Sequence, residues 1–543
     1  MSRRRRQVAV LTALWLAGIC LAGYCATGVT AAFSARFLGS RIGGIFPPSF
    51  QGVTIATVGM TVGVVVVAAA MGVSLGSLLF LLRSVPTQES NWCRRVGVVG
   101  SLLARGYPEV AVLFILQLIF GTQIQTVLVC VAVYTGGVLG RLLDITVTED
   151  QKAPYFRARQ AGAPHLVAFT AVLMASIETL LIRACLLRID SVLRKIVVLG
   201  VASAGGLGLT FLESYALGDF AVVGGVCLML FCCHAGLELV AVMAGVNQSA
   251  SRRPRSAMRG AVRRSVLVGL QTLGFGGWVL CLGSLLVTPR LIPLYGGEDL
   301  HARYIARRLV VAAAETLFSA LAAAALGVTL GFLVGLAASV SLSRRRWVPH
   351  GVRMLLAAAR AIPDILLVML AISAVGLGWS SGAVVLAVLS TITTAKLFAD
   401  EVDSVGMGSY RALRLAGASF LQGILGGLLP RIGRQLVSIG LWQIEHNVRN
   451  AVLIGSVGAG GLGYFLVEAR NAGSMPGLLA GGFVACALVG CIELLGGRWD
   501  GERVSWFGLS GEFEAGRDNQ DDRAPAANRE EGPPVVGSGR LSI

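Results

Sequence analysis

Apolar residues run along this chain in long blocks, not at the period of a half-buried strand or a surface helix. Runs from Val8 to Val29, from Val53 to Leu82 and, broken by Glu493 alone, from Leu478 to Leu495 reach the roughly 20 residues a helix needs to cross a bilayer. Arginines gather between such blocks, as at Arg3 to Arg6, Arg252 to Arg264 and Arg344 to Arg346. Basic residues accumulate in loops that stay cytoplasmic, so these clusters orient the blocks. The pattern predicts an all-α, polytopic membrane protein with about twelve transmembrane helices.

Tracing spans by length and orientation by charge gives six in each half. The first rises from Arg3 to Arg6 and ends near Ala32, and the second returns at Arg83. A third runs to Gly121, a fourth returns to Arg141, and a fifth and a glycine-rich external segment precede a sixth at Phe220 to Met243. This divides the chain into a first unit (1–245), a basic cytoplasmic linker (246–264), a second unit (265–498) and a tail (499–543). The tail is rich in Asp, Glu, Gly, Pro and Ala, a composition that predicts disorder. Both termini then face the cytoplasm. Arg290, Arg303, Arg307 and Arg308 fall on the external side and fit this scheme less well.

Composition narrows the class. Of 543 residues, 55% are hydrophobic and 14% charged, against about 25% charged in soluble chains. The net charge of +17 does not point to nucleic acid, because the basic residues are scattered in loops with no stacking platform of aromatics. The eleven cysteines mostly sit singly in apolar runs without CxxC spacing, and read as small apolar fillers, not metal ligands. The basic N-terminus followed by an apolar run imitates a signal peptide. The run is longer than the roughly 7 to 15 residues of such a signal, so an uncleaved first span is expected, with cleavage near Cys25 as the alternative.

The decisive feature is an internal repeat. Shifting the chain by 255 residues superposes Ala104, Arg105 and Pro108 on Ala359, Arg360 and Pro363, and Arg141 on Lys396. Without a gap, the same register lays Arg159 to Ala163 on Arg414 to Ala418, and Ala204 to Gly208 on Ala459 to Gly463. Roughly a quarter of the hundred-odd aligned positions are identical, more than shared apolar composition gives. An even number of spans per unit makes the copies parallel, and such repeats place a pathway between them.

Two segments carry candidate chemistry. Tyr410 to Ser419 reads as a short amphipathic helix stopped by Gly417, and Leu429-Pro430 starts the next span. Alone this is as readily an ordinary loop helix, but it recurs at Tyr155 to Ala163. The second segment holds Glu445, Asn447 and Arg449 before Gly458, Gly460, Gly461 and Gly463. Ionisable residues in a span are costly unless they face a cavity or a partner, which also marks Arg183, Arg188, Asp190 and Arg194. Glu445 and Arg449, four apart, could equally neutralise each other. Gly458 to Gly463 satisfies GxGxxG, but not between a strand and a helix of a βαβ unit, so it is no dinucleotide site. Lys152, Lys195 and Lys396 all lack the preceding glycine of a phosphate-binding loop. The chain therefore has no such device for ATP. His234 and Glu238 are too few for a metal site.

In these segments the chain resembles the permeases of ABC importers of the phosphonate-uptake type, with two units fused. The Tyr410 segment is similar to their cytoplasmic coupling loop: Ala412, Gly417, Leu429 and Pro430 match, while Arg411 stands at the usual glutamate. The first copy keeps Ala158 and Gly162 but has Met174 and Ala175 in place of Leu-Pro. Glu445, Asn447, Arg449 and the glycines to Gly463 match the family's second signature. Ala359 to Asp364 resembles its Arg-x-x-Pro-Glu segment, with Arg360 at the Arg and Asp364 at the Glu. The first copy preserves Arg105, Pro108, Glu109, Arg194, Gly205, Gly206 and Gly208, with Asp190 for the Glu and Val192 for the Asn.

The resemblance implies the type I ABC importer fold and a bacterial inner-membrane location. It further implies a cytoplasmic ABC ATPase dimer that docks at Gly162 and Gly417, and an extracytoplasmic substrate-binding protein. It implies no cofactor, metal or catalytic residue in this chain, ATP being used by the partner, and no nucleic-acid partner. Arg105, Arg188, Asp190, Arg194, Arg360, Glu445, Asn447, Arg449 and the paired glycines become pathway or gate candidates. An ion-coupled secondary transporter with two six-helix halves is the rival reading.

Overall fold

The computed structural model describes residues 15–27, 35–84, 91–147, 149–164, 167–177, 181–182, 185–186, 188–189, 191–195, 205–243, 257–287, 302–343, 345, 347–360 and 362–499. Among them there is helix and no strand. The first half contains α1 (Trp15–Thr27), α2 (Ala35–Gly44), α3 (Ile55–Ser84), α4 (Asn91–Gly106), α5 (Glu109–Phe120), α6 (Ile124–Thr146) and α7 (Glu149–Gln160). The described parts of 167–195 are largely helical with a π turn at Ala168–Leu173, and α8 (Gly206–Leu217) and α9 (Phe220–Met243) follow. The second half has α10 (Ala257–Val287), α11 (Ala302–Ala338), α12 (Trp347–Arg360), α13 (Asp364–Val375), α14 (Trp379–Ser404) and α15 (Gly408–Leu415). After a π turn at Ile424–Leu428 come α16 (Leu429–Ile454), α17 (Gly461–Asn471) and α18 (Met475–Trp499). The proposed tail lies outside the described residues, and Ala257 to Arg264 of the expected linker is the first part of α10.

The 255-residue register survives in backbone detail. The bounds of α5 map onto those of α13, Pro108 (φ −62°, ψ 132°) onto Pro363 (φ −62°, ψ 133°), and the π turns onto each other. Glycines at φ +87° and +90° end α7 and α15, at Gly162 and Gly417. The proline explains a departure from the expected count of spans. It lacks an N–H and drives the residue before it out of helical geometry, so the third span of each half breaks into an amphipathic helix and a second, shorter one. In the second unit the two pieces meet at 81°. With 12 residues, α13 is about 18 Å long, short of the roughly 30 Å hydrocarbon layer. Consequently six helices among the described residues are long and apolar enough to cross, or eight if each bent pair is one span.

Small residues bring the long helices together. A Cβ on Gly327 would lie 2.2 Å from the Ser390 side chain, and one on Gly331 1.9 Å from Thr394 Oγ1. The repeat-related Gly72 and Gly76 meet Thr135 and Leu139 in the same way. Close backbone approach of this kind drives helix association where lipid offers no hydrophobic gain. Thr394 Oγ1 also donates to Gly327 O at 2.9 Å.

The two units exchange their first helices. In α1, Gly18 packs on Leu321 and Ala325 of the second unit, and the Tyr24 ring stacks on Trp379 at 6.3 Å. Reciprocally, α10 lies on α3: Gly274 packs on Ala70, the repeat counterpart of Ala325, and Trp278 Nε1 donates to Met71 O at 2.9 Å. One buried core joins Leu113, Val127 and Phe211 of the first unit with Ile365, Val452 and Phe465 of the second. The sequence boundary between the units is therefore not a packing boundary.

Candidate functional site

Where the two units meet, Tyr107, Glu109, Tyr134 and Lys195 from the first face Arg449, Asn450 and Leu453 from the second. They bound a cavity of about 20 Å³, room for a water-sized group. The breaks after Pro108 and Pro363 put a carboxylate at the start of each short helix, Glu109 and Asp364. Lys195 makes an ion pair with Glu109 Oε1, and its ammonium also lies 3.9 Å from the centre of the Tyr134 ring. The Lys195 and Glu109 side chains are 14% and 8% exposed, and Glu109 Oε2 has no hydrogen-bond partner among the described residues. Arg449 makes an ion pair with Glu445, so the i, i+4 neutralisation read from the sequence is present and borders the cavity as well.

The surroundings are cationic. Arg188 lies within electrostatic reach of Lys195 and Tyr134. Asp364 is within reach of Arg194, Lys195, His234 and Arg360. Of the residues named by sequence reasoning, Arg449 lines the cavity and pairs with Glu445, Arg188 lies near Lys195, and Arg194 and Arg360 lie near Asp364. That reasoning passed over Lys195, treated solely as a failed ATP-binding lysine, and Tyr134 and Asn450, while Asp364 entered only as the last residue of the Arg-x-x-Pro-Glu resemblance. A lysine next to an arginine within a membrane segment was the available signal. Asp190 lies outside the described residues. Arg105 falls in α4, with no described side chain.

Asn447 is elsewhere. It sits in a buried knot within the second unit, where Gln443 Nε2 donates to Asn447 Oδ1 at 2.8 Å and Ser390 Oγ donates to it at 2.9 Å. The first copy has Val192 here, so the knot belongs to the second unit alone.

Glycines turn the chain beside the cavity. Gly206 and Gly461, at φ +67° and +68°, open α8 and α17, and a Cβ on either would strike Thr61 or Thr316 Oγ1 at 2.6 or 2.5 Å. The following amides, Leu207 and Leu462, donate to those same hydroxyls at 3.0 and 2.8 Å. Gly458, Gly460 and Gly205 share this turn, while Gly208 and Gly463 are buried in the helices it opens. In the second unit the turn joins two helices bent by 57°. The helices reach across to the opposite unit: Tyr215 of α8 shares a 2.7 Å hydrogen bond with Ser373 of α13, and Arg470 of α17 lies 5.1 Å over Phe114 of α5. Tyr215 and Arg470 are repeat counterparts, so each unit closes over the other.

The two segments expected to dock an ATPase differ. In α15 and the turn after it, Ala412, Leu413 and Leu415 are exposed, Leu415 at 89%, and Phe420 and Leu421 continue the apolar surface. Gly417 has open space around it. A capping box of Ser419 and Gln422 then starts the run toward Leu429 and Pro430, which open α16. Asp403 anchors this end by accepting from Ser339 Oγ at 2.6 Å, Ser341 N at 2.9 Å and Arg353 at 3.0 Å. In the first copy Tyr155 is buried in an apolar cluster, Ala158 packs against that cluster, and Gln160 occupies the place of Leu415. Gly162 is exposed.

Residues 327–497 match the family model described as "Binding-protein-dependent transport system inner membrane component". The second unit carries that family's domain, and the chain is an ABC-importer permease. Among its curated relatives, the phosphate-import permease protein PhnE of Mycolicibacterium smegmatis is 26% identical over 75% of this chain and 79% of its own length. The phosphite transport system permease protein PtxC of Stutzerimonas stutzeri is 30% identical over 28% of this chain and 56% of its own. No solved structure matches significantly. The matched model covers the second unit from within α11 to α18, the half with the exposed helix α15. The family stands apart from ion-coupled secondary transporters. The permease is a multi-pass membrane protein whose repeat supplies two related units in one chain.

Proposed function

We propose that this permease imports a phosphorus oxyanion, phosphate, phosphite or a phosphonate, by alternating access between its two units. Support comes from the buried cationic cavity between the units, in keeping with the cargo named for the relatives. A single chain forms the whole pore, with both termini in the cytoplasm. An ATPase pair grips the segments at Gly162 and Gly417, with the exposed apolar surface around Leu415 as the stronger site. An extracytoplasmic binding protein delivers the anion to the side closed by Tyr215 and Arg470. Arg188, Arg194, Arg360 and Arg449 hold the field that draws the anion through.

Proteoliposomes containing the permease, its co-purifying ATPase and the binding protein test this reading. ATP inside the assembly should drive uptake of at least one of radiolabelled phosphate, phosphite and methylphosphonate. Uptake that continues without ATP and stops when the proton gradient is dissipated would refute it.

A further inference from the structure

We propose that Lys195 is the anion-binding residue of the cavity between the units, with Glu109 as the internal carboxylate that the oxyanion displaces; this rests on the importer reading above. Burying an ion pair stabilises little relative to an apolar pair of the same shape, so its position between moving parts calls for a use. Three observations supply one. The pair lines the inter-unit cavity. Among the described residues Glu109 Oε2 has no hydrogen-bond partner, so within them the carboxylate is held by one oxygen. The pair is also absent from the other copy, where Asn450 stands for Lys195 and Asp364 for Glu109, so repeat geometry does not demand it.

A tetrahedral oxyanion offers an ammonium the same charge-assisted hydrogen bond as a carboxylate. Tyr134, with its ring face 3.9 Å from the ammonium, keeps Lys195 in place through the exchange by a cation–π contact. Arg449, on the opposite wall, supplies the second cation. A cavity of about 20 Å³ admits a water-sized group and not a tetrahedral oxyanion, so the exchange requires the units to part. As they close again, Glu109 returns to Lys195 and expels the anion. Affinity and release are thereby set by two members of one pair acting in opposite senses.

Uptake kinetics in the proteoliposomes described above separate this from a structural ion pair. Glu109→Gln, which leaves Lys195 without its competitor, should lower KM and lower kcat. The double variant Lys195→Met with Glu109→Met removes both charges together, leaves no buried charge stranded, and should raise KM roughly tenfold or more, the loss of one charged hydrogen bond. If both variants leave KM within twofold of the wild type, or both shift it the same way, the inference is overturned while the importer reading stands. A wild-type assembly that transports none of the three anions overturns both.

Discussion

Leu462 donates its backbone N–H to Thr316 Oγ1 across 2.8 Å, where α17 leaves the glycine turn and meets α11. The same bond joins Leu207 to Thr61, 255 residues earlier, at 3.0 Å. Each hydroxyl satisfies a helix N-terminal amide that has no partner within its own helix. The turn must be held firmly enough to aim α8 and α17 at the opposite unit. Thr316→Val keeps the shape and removes the acceptor, so it should cost about 1–3 kcal/mol. Thermal unfolding in detergent should show a lowered midpoint, with Thr316→Ser close to the wild type.

The contact between Gly331 and Thr394 leaves no room for a methyl group. Gly331→Ala should destabilise by about 1–3 kcal/mol as α11 and α14 are pushed apart. Adding Thr394→Ala should recover part of the loss, since it removes the clashing hydroxyl while also giving up the bond to Gly327 O. Yield and unfolding midpoint of the single and double variants measure both effects.

Leu415 and Gln160 occupy equivalent places in the two proposed docking segments, which differ in exposure. Leu415→Glu should weaken ATPase retention during purification and reduce uptake at least tenfold, while Gln160→Glu should have a much smaller effect on both. Gly417→Val tests the turn separately. The site has space for the side chain but a φ of +90°, so the cost is conformational, about 1–2 kcal/mol. ATP hydrolysis that persists without uptake is the expected signature.

The exchange of first helices brings Gly18 to Ala325. In a background freed of native cysteines, Gly18→Cys with Ala325→Cys should cross-link within one chain under mild oxidation. A faster-running monomer on non-reducing gels is expected. A cross-linked dimer would mean that α1 packs on another copy.

Much of the plan was legible in the sequence because a repeat can be read without knowing what it folds into. The Phe220 to Met243 span, the short helix before Gly417 and the start of α16 at Leu429-Pro430 coincide with the structure. Hydropathy failed at Pro108 and Pro363, where apolar content continues through a break that backbone sterics impose. It also gave no sign that α1 and α10 change partners, because a helix apolar all round carries no record of which neighbour it faces. At the site, arginine-rich segments directed attention to Arg188, Arg194 and Arg449. Lys195 and Glu109, 86 residues apart, become a pair only when the chain breaks between α4 and α5 at Pro108 and places the first carboxylate of α5 beside Lys195. Asn447 illustrates the converse, a matched position whose side chain holds helices together instead of lining the cavity.

The central claim is that one chain supplies both halves of an ATP-driven pore. Native mass spectrometry of the detergent-extracted assembly tests it most directly. One permease chain with two ATPase subunits is the predicted composition; two permease chains in the complex, or a permease that retains no ATPase, would contradict it.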